Sequence, residues 1–376
     1  MTDHAQPGRG DTLVIVGTRK GAFIFSSDEN RKVWDMSGPH WAGSDVFHTI
    51  YDARDGGKLW VVRNDPVFGS EVHRSDDLGA TWYSSKIGPS ITSDPKIKVN
   101  RFWHVTPDPV DGPDSVYLGA EPASLFKSVD AGETWMEIDG ITKHPSRNGW
   151  MEGFGGMCLH SILPDASSQN RMLVGISAAG VFSTEDGGAN WSPLNRGVRA
   201  DFMGEPYPEV GQCPHSLVSH PANPRRLYQQ NHCGVYRSDD RGREWIDISD
   251  GLPSRFGLPL TVHPFDPDTV YVLPEDKAVG EELGGGMRFV TDAKFRVFRT
   301  RNAGQDWEPL TNGLPQKNAY LHAMRDGMAA DTLDPYGVYV GTSTGQLFFS
   351  RDEGDNWGLL ADYLPPINSV ETAVVV

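Results

Sequence analysis

The pattern Ser/Thr-x-Asp-x-Gly-x-x-Trp recurs along this chain at nearly even spacing, and this constrains the fold more than any other feature. It begins at Ser75, Ser128, Thr184, Ser238, Thr300 and Ser350 and ends at Trp82, Trp135, Trp191, Trp245, Trp307 and Trp357. Its central position is Asp77, Asp130, Asp186, Asp240, Asn302 and Asp352, in steps of 53, 56, 54, 62 and 50 residues. A degenerate copy around Asp28 and Trp34 lies 49 residues before Asp77, making seven copies. A period near 50 residues means one supersecondary unit per repeat, stacked or closed into a ring.

Each unit carries short runs of β-branched and aromatic residues bounded by Gly, Asp, Asn and Pro, such as residues 13–18, 21–26, 116–119 and 338–342. Such runs read as strands. No stretch has sustained helical periodicity. Four strands per repeat, seven times, give an all-β, seven-bladed β-propeller. The motif itself is a turn device. Its Asp is expected to accept from backbone N–H groups two or three residues on, its Gly to take a positive φ, and its Trp to pack between sheets. Asn302 keeps that chemistry without the charge, so the Asp positions read as structural. The chain starts near Asp11 on what looks like a second strand, so residues 368–376 are expected to supply the innermost strand of blade 1 and close the ring. The expected organisation is a disordered lead, residues 1–10, and a single propeller, residues 11–376.

The motif resembles the Asp-box, or bacterial neuraminidase repeat, of sialidases, xyloglucanase-type glycosidases, sortilin-like receptors and the photosystem II assembly factor. The resemblance covers about residues 11–376. It implies the propeller and leaves the activity open, because this scaffold hosts both enzymes and binding proteins. It also implies that loops leading into each inner strand share one face with the loops joining strands two and three. The Asp turns then lie on the opposite face.

Composition narrows the partners. The net charge is −16, with no basic run, which argues against nucleic acid and anionic membranes. No apolar stretch is long enough to span a bilayer. The first ten residues lack the apolar core of a secretion signal, and three cysteines suit reduced thiols, so a cytoplasmic location is expected. The phosphate-cradling Gly loop of a nucleotide cofactor site is missing, since Gly284 to Gly286 lie in an irregular insertion, 274–293, that reads as a lid or flap.

Candidate chemistry collects on the face away from the Asp turns. His104, His160 and His215 each stand 13 residues before Tyr117, Leu173 and Tyr228, and His48 stands 12 before Trp60. Four successive inner strands thus carry a His near their start. One reading makes His48, His104, His160 and His215 the ligands of a divalent metal ion. The other has each imidazole bonding a neighbouring strand. Cys158, Cys213 and Cys233 fall beside these histidines and read as small buried residues. A metal-free hydrolase or lyase would draw its acid and base from Glu121, His160, Glu205, His215 and His232. Arg19, Lys20, Arg101, Gln212, Arg325 and Asp326 are the candidate substrate-binding groups, the arginines holding an anion through paired contacts. The Phe/Tyr-Arg-Ile-Pro motif of sialidases is lacking, so true sialidase activity is not expected. Two function classes stay open: a glycoside hydrolase-like enzyme for a small molecule, metal-dependent or not, and a non-catalytic platform for protein binding. Substrate and oligomeric state are not legible.

Overall fold

The computed structural model describes residues 6–376 except 86, 154, 278–287 and 291. Most of the insertion expected as a lid, and the start of the lead expected as disordered, lie outside the described residues. Residues 8–11 form a turn in which Asp11 bonds Gly8, and Gly10 bonds Val375.

Seven four-stranded antiparallel sheets form the ring. Their inner strands are Ile367–Val374, Asp45–Asp52, Arg101–Pro107, Leu159–Pro164, Pro214–His220, Gly257–Val262 and Met328–Ala330, for blades 1 to 7. The described residues contain no α-helix, only two short 3-10 turns, Arg54–Gly56 and Arg147–Gly149. No helix is long and apolar enough to cross a membrane. The apolar core is divided into clusters between neighbouring blades. Trp60, Phe102, Leu118 and Phe126 fill the space between blades 2 and 3, and Tyr271, Val338, Val340 and Trp357 that between blades 6 and 7. A twisted sheet buries both faces this way, which explains why the second strands read as continuous apolar runs.

The ring closes as the sequence implies. Ile367–Val374 pairs antiparallel with Thr12–Thr18, from Thr12 opposite Val374 to Thr18 opposite Ile367. A buried ion pair reinforces the same seam. Arg31 of blade 1 reaches Asp331 of blade 7 at 2.8 Å, with side-chain exposures of 5% and 0%. Asp331 also accepts from Gly337 N–H and from the Tyr339 hydroxyl, so the buried charge is fully engaged.

All six intact motifs build one turn, but its reach differs from expectation. Asp77 Oδ1 accepts from the N–H of Thr81, four residues on, at 2.8 Å, and the Ser75 hydroxyl accepts from Gly79 N–H at 2.7 Å. Asp130, Asp186, Asp240, Asn302 and Asp352 repeat this. The reason is two successive left-handed residues, for example Leu78 at φ 55° and Gly79 at φ 96°, which widen the turn so the hydroxyl takes the nearer N–H. Two of the tryptophans tie neighbouring blades, Trp245 Nε1 donating to Leu194 O and Trp307 Nε1 to Ile248 O, while Trp135 and Trp191 donate within their own turns to Gly132 O and Gly188 O. Blade 1 lacks the Gly, and Asp28 caps a tighter turn through Asn30 and Arg31.

Candidate functional site

The four inner-strand histidines do not gather on one point. Among the described residues, no three of them bring ligand atoms within 4.8 Å of one another. The cause is local. Each inner strand carries a register shift at its His: between Val46 and His48, Phe102 and His104, Leu159 and Ser161, and Pro214 and Ser216. Such a bulge re-aims the side chain. Three of the rings then bond the next blade. His48 Nδ1 lies 3.4 Å from Val105 N–H. His160 Nε2 donates to Pro214 O at 2.9 Å, while its Nδ1 meets the Ser161 hydroxyl at 3.0 Å. His215 Nδ1 donates to Gly257 O at 2.6 Å. The His104 ring lies 3.9 Å from that of His48, tilted by 42°, and its buried Nδ1 has no hydrogen-bond partner among the described residues. The expected four-His metal centre is therefore not assembled, and inter-blade bonding describes the geometry.

Burial dominates their protonation. It pushes His104 down to about 4 and holds His48, His160 and His215 well below the ordinary value. For His160 and His215 the Arg325 charge adds to burial. All four are neutral at pH 7.

Arg325 sits where the blades converge. Its guanidinium lies 5.4 Å over the ring of Trp103 from blade 3 and 3.3 Å from the Ser177 hydroxyl of blade 4. It abuts Gly155 so closely that a Cβ there would fall 3.0 Å from its Nη2. Its charge acts on Cys158, His160, Cys213, His215 and Asp326. Among the described residues it forms no ion pair, and its buried Nε has no hydrogen-bond partner. A cation so placed, without a carboxylate against it, is unusual in a chain with 50 acidic residues.

Asp326 and Glu371 complete the centre. Val370 N–H donates to Asp326 O at 2.7 Å, which locks blade 7 to the closing strand. Burial pushes Asp326 up to about 7 and Glu371 up to about 8, and the Asp326 charge adds to the second shift. Sequence reading placed Glu371 only near this position and gave it no role.

A second missed arrangement is the pair His322–Glu275. His322 Nδ1 lies 2.5 Å from Glu275 Oε1, the carboxylate being fully buried and the ring 26% exposed. Glu275 Oε2 is buried and has no hydrogen-bond partner among the described residues. The contact joins blades 6 and 7 across 47 residues of sequence. A buried carboxylate fixing one ring nitrogen leaves the other for proton transfer.

The remaining candidates divide. Glu121 is buried, accepts from Trp103 Nε1 at 3.0 Å and pairs with Arg101 at 3.3 Å. Arg19 and Lys20 are exposed and, with Arg101, act on the charge of Asp45. His232 packs edge-on to Phe202, His215 and Phe256 at ring distances of 5.1, 5.6 and 5.1 Å. Glu205 is exposed on its loop, outside this buried group. Gln212 is fully buried, and its amide nitrogen donates to Pro208 O and Val198 O, which pins its loop. A separate groove of about 770 Å³ runs between blades 7 and 1, past Arg31, Arg351, Asp352 and Trp357. Asp352 there is already engaged in its turn.

The two raised carboxyls give a pH prediction. The folded state holds a proton on Glu371 that the unfolded chain releases near 4.5, so this group lowers stability progressively from about pH 4.5 to 8. The neutral histidines work oppositely, losing stability as pH falls below about 6.5. The difference between Glu371→Gln and the parent isolates the carboxyl. Melting curves should coincide near pH 4 and favour the Gln variant at pH 8. Coincidence at both would show that Glu371 ionises normally.

No protein-family model matches this chain, and no curated protein matches it. Solved structures do. A putative 6-phosphogluconolactonase from Bacteroides uniformis superposes with a TM-score of 0.57 at 11% identity, covering 97% of this chain and 100% of that one. An ancestral GH74 enzyme gives 0.54 at 15%, covering 87% of this chain and 38% of its own. YCF48 bound to D1 peptide gives 0.54 at 14%, covering 92% and 94%. The likeness is one of fold. This chain spans well under half of the GH74 enzyme, and at these identities the likeness leaves the activity open.

Proposed function

We propose that this propeller is a small-molecule hydrolase or lyase that binds a hydroxylated carboxylate at the mouth of its central channel. The observation that carries this reading is Arg325, a guanidinium held at the convergence of the blades without an ion-pair partner among the described residues. Such a planar fork suits a carboxylate, which it meets with two parallel N–H bonds. Arg19 and Lys20, both exposed, would help draw an anion toward this face despite the acidic chain.

The surrounding groups suit proton transfer. Asp326 and Glu371 retain protons near neutral pH and so serve as acids. His322, oriented by Glu275, serves as the base. Hydroxylated substrates agree with the names of two fold neighbours, a GH74 enzyme and a putative 6-phosphogluconolactonase, whose identities support only the shared scaffold. The platform alternative has YCF48 on its side, yet a charged, partly protonated channel mouth is not what a flat docking surface requires.

Titration calorimetry with gluconate, glucuronate and the corresponding neutral sugars tests the reading. The acids are expected to bind and the neutral sugars not. Equal binding of both, or of neither, would remove Arg325 as the anchor. Sugar phosphates binding in place of the acids would move the substrate to the phosphate class.

A further inference from the structure

The only cluster of three or more metal-capable side chains among the described residues is Cys213, His215 and His232, whose ligand atoms all lie within 4.8 Å of one another. We propose that these three residues hold one zinc ion, with a fourth coordination position open to the channel mouth. This site is distinct from the four-His centre that the sequence suggested, and it does not depend on Arg325 taking an anion.

Three observations support it. First, the backbone joins the two segments that carry the ligands, the start of the inner strand Pro214–His220 and the loop at His232: His232 N–H donates to Cys213 O at 3.0 Å. The separation of the ligands is thereby set by a hydrogen bond and not by side-chain chance. Second, the tautomer is fixed. His215 Nδ1–H donates to Gly257 O at 2.6 Å, which leaves Nε2 as the lone-pair nitrogen. A metal-binding imidazole is typically oriented in this way, by donating its other N–H to a backbone carbonyl. Third, the access is graded. His215 is buried, while Cys213 and His232 keep some exposed surface, so an ion has a path in.

Zinc places thiolate and imidazole ligands about 3.3–3.6 Å apart, as follows from tetrahedral angles and bonds of about 2.3 and 2.0–2.1 Å. From separations within 4.8 Å, the three atoms need to close by at most about 1.5 Å, within the range of small χ rotations. One thiolate with two imidazoles suits a borderline ion better than magnesium or calcium, which take oxygen ligands. Three protein ligands with an open fourth position is the arrangement of catalytic zinc, whereas structural zinc has four.

The test uses the metals alone. Metal-stripped full-length protein is titrated with zinc against a chromophoric chelator, then loaded with cobalt(II) as a spectroscopic probe. One zinc per chain is expected, with a near-ultraviolet sulfur-to-cobalt charge-transfer band. Cys213→Ser should abolish the band and weaken zinc more than about 100-fold, since changes outside the ligand set already cost 10–100-fold. Cys233→Ser should keep both. If Cys213→Ser does not fold, His232→Gln, checked by circular dichroism, should still weaken zinc while retaining the band. Failure of the parent protein to compete with the chelator would overturn the site. An unchanged band in a folded Cys213→Ser protein would overturn it equally.

Discussion

Removing residues 367–376 should leave a chain with no cooperative melt. The deletion takes away the whole inner strand of blade 1, including Ile367 and Val370, which are 0% and 3% exposed. Losing one large buried aliphatic side chain costs about 2–5 kcal/mol, and a domain is stable by only about 5–15 kcal/mol in total. The strand also bonds its other neighbours: Asn368 reaches Asp45 and Val46 O in blade 2, and Thr372 reaches Ala330 O in blade 7. Its loss would bare the full edge of Thr12–Thr18 to other chains. A circular permutant supplies the control. Val375 already bonds both Gly10 and Asp11, so a chain starting at Ile367, joined after Val376 to residue 8 and ending at Pro366, should regain a cooperative transition. A truncated protein that melts at the parent temperature would show that the ring does not need this closure.

Replacing Arg325 by Met should weaken binding of a hydroxylated carboxylate on the order of 100-fold or more. Two charge-assisted hydrogen bonds at about 1.5–3 kcal/mol each support that size. Met preserves much of the contact with Trp103, and no carboxylate is left stranded, because Arg325 has no ion pair among the described residues. The melting temperature should therefore change little, which separates a binding role from a structural one. Arg325→Lys should bind between the two, having a charge but no fork. Equal affinities in the parent and both variants, measured by calorimetry, would dismiss the anchor.

The fold was legible because six of the seven turns keep every residue that their geometry uses. A hydroxyl, a carboxyl or amide, a glycine and a tryptophan at fixed offsets leave little else to fit. The seventh turn was harder, since Asp28 caps without a glycine and Arg31 is diverted into the closing pair with Asp331. The site was legible in position and not in direction. Counting residues correctly put His48, His104, His160 and His215 on successive inner strands. It gave no sign of the register shifts that turn three of them onto the next blade. Gln212 lies on the expected loop with its amide turned into that loop. Glu275 and His322 are joined only by the docking of blade 6 on blade 7, a contact no local pattern announces. Likewise, the charge on Arg325 is visible in the sequence, but its lack of an ion-pair partner among the described residues is a property of the assembled ring.

The ligand is expected at the channel mouth and not in the groove between blades 7 and 1. Diffraction from crystals soaked in glucuronate tests this most directly. The carboxylate is expected against both terminal nitrogens of Arg325, over Trp103. Glucuronate seated in the groove beside Arg31 and Arg351, with the mouth holding only water, would contradict it.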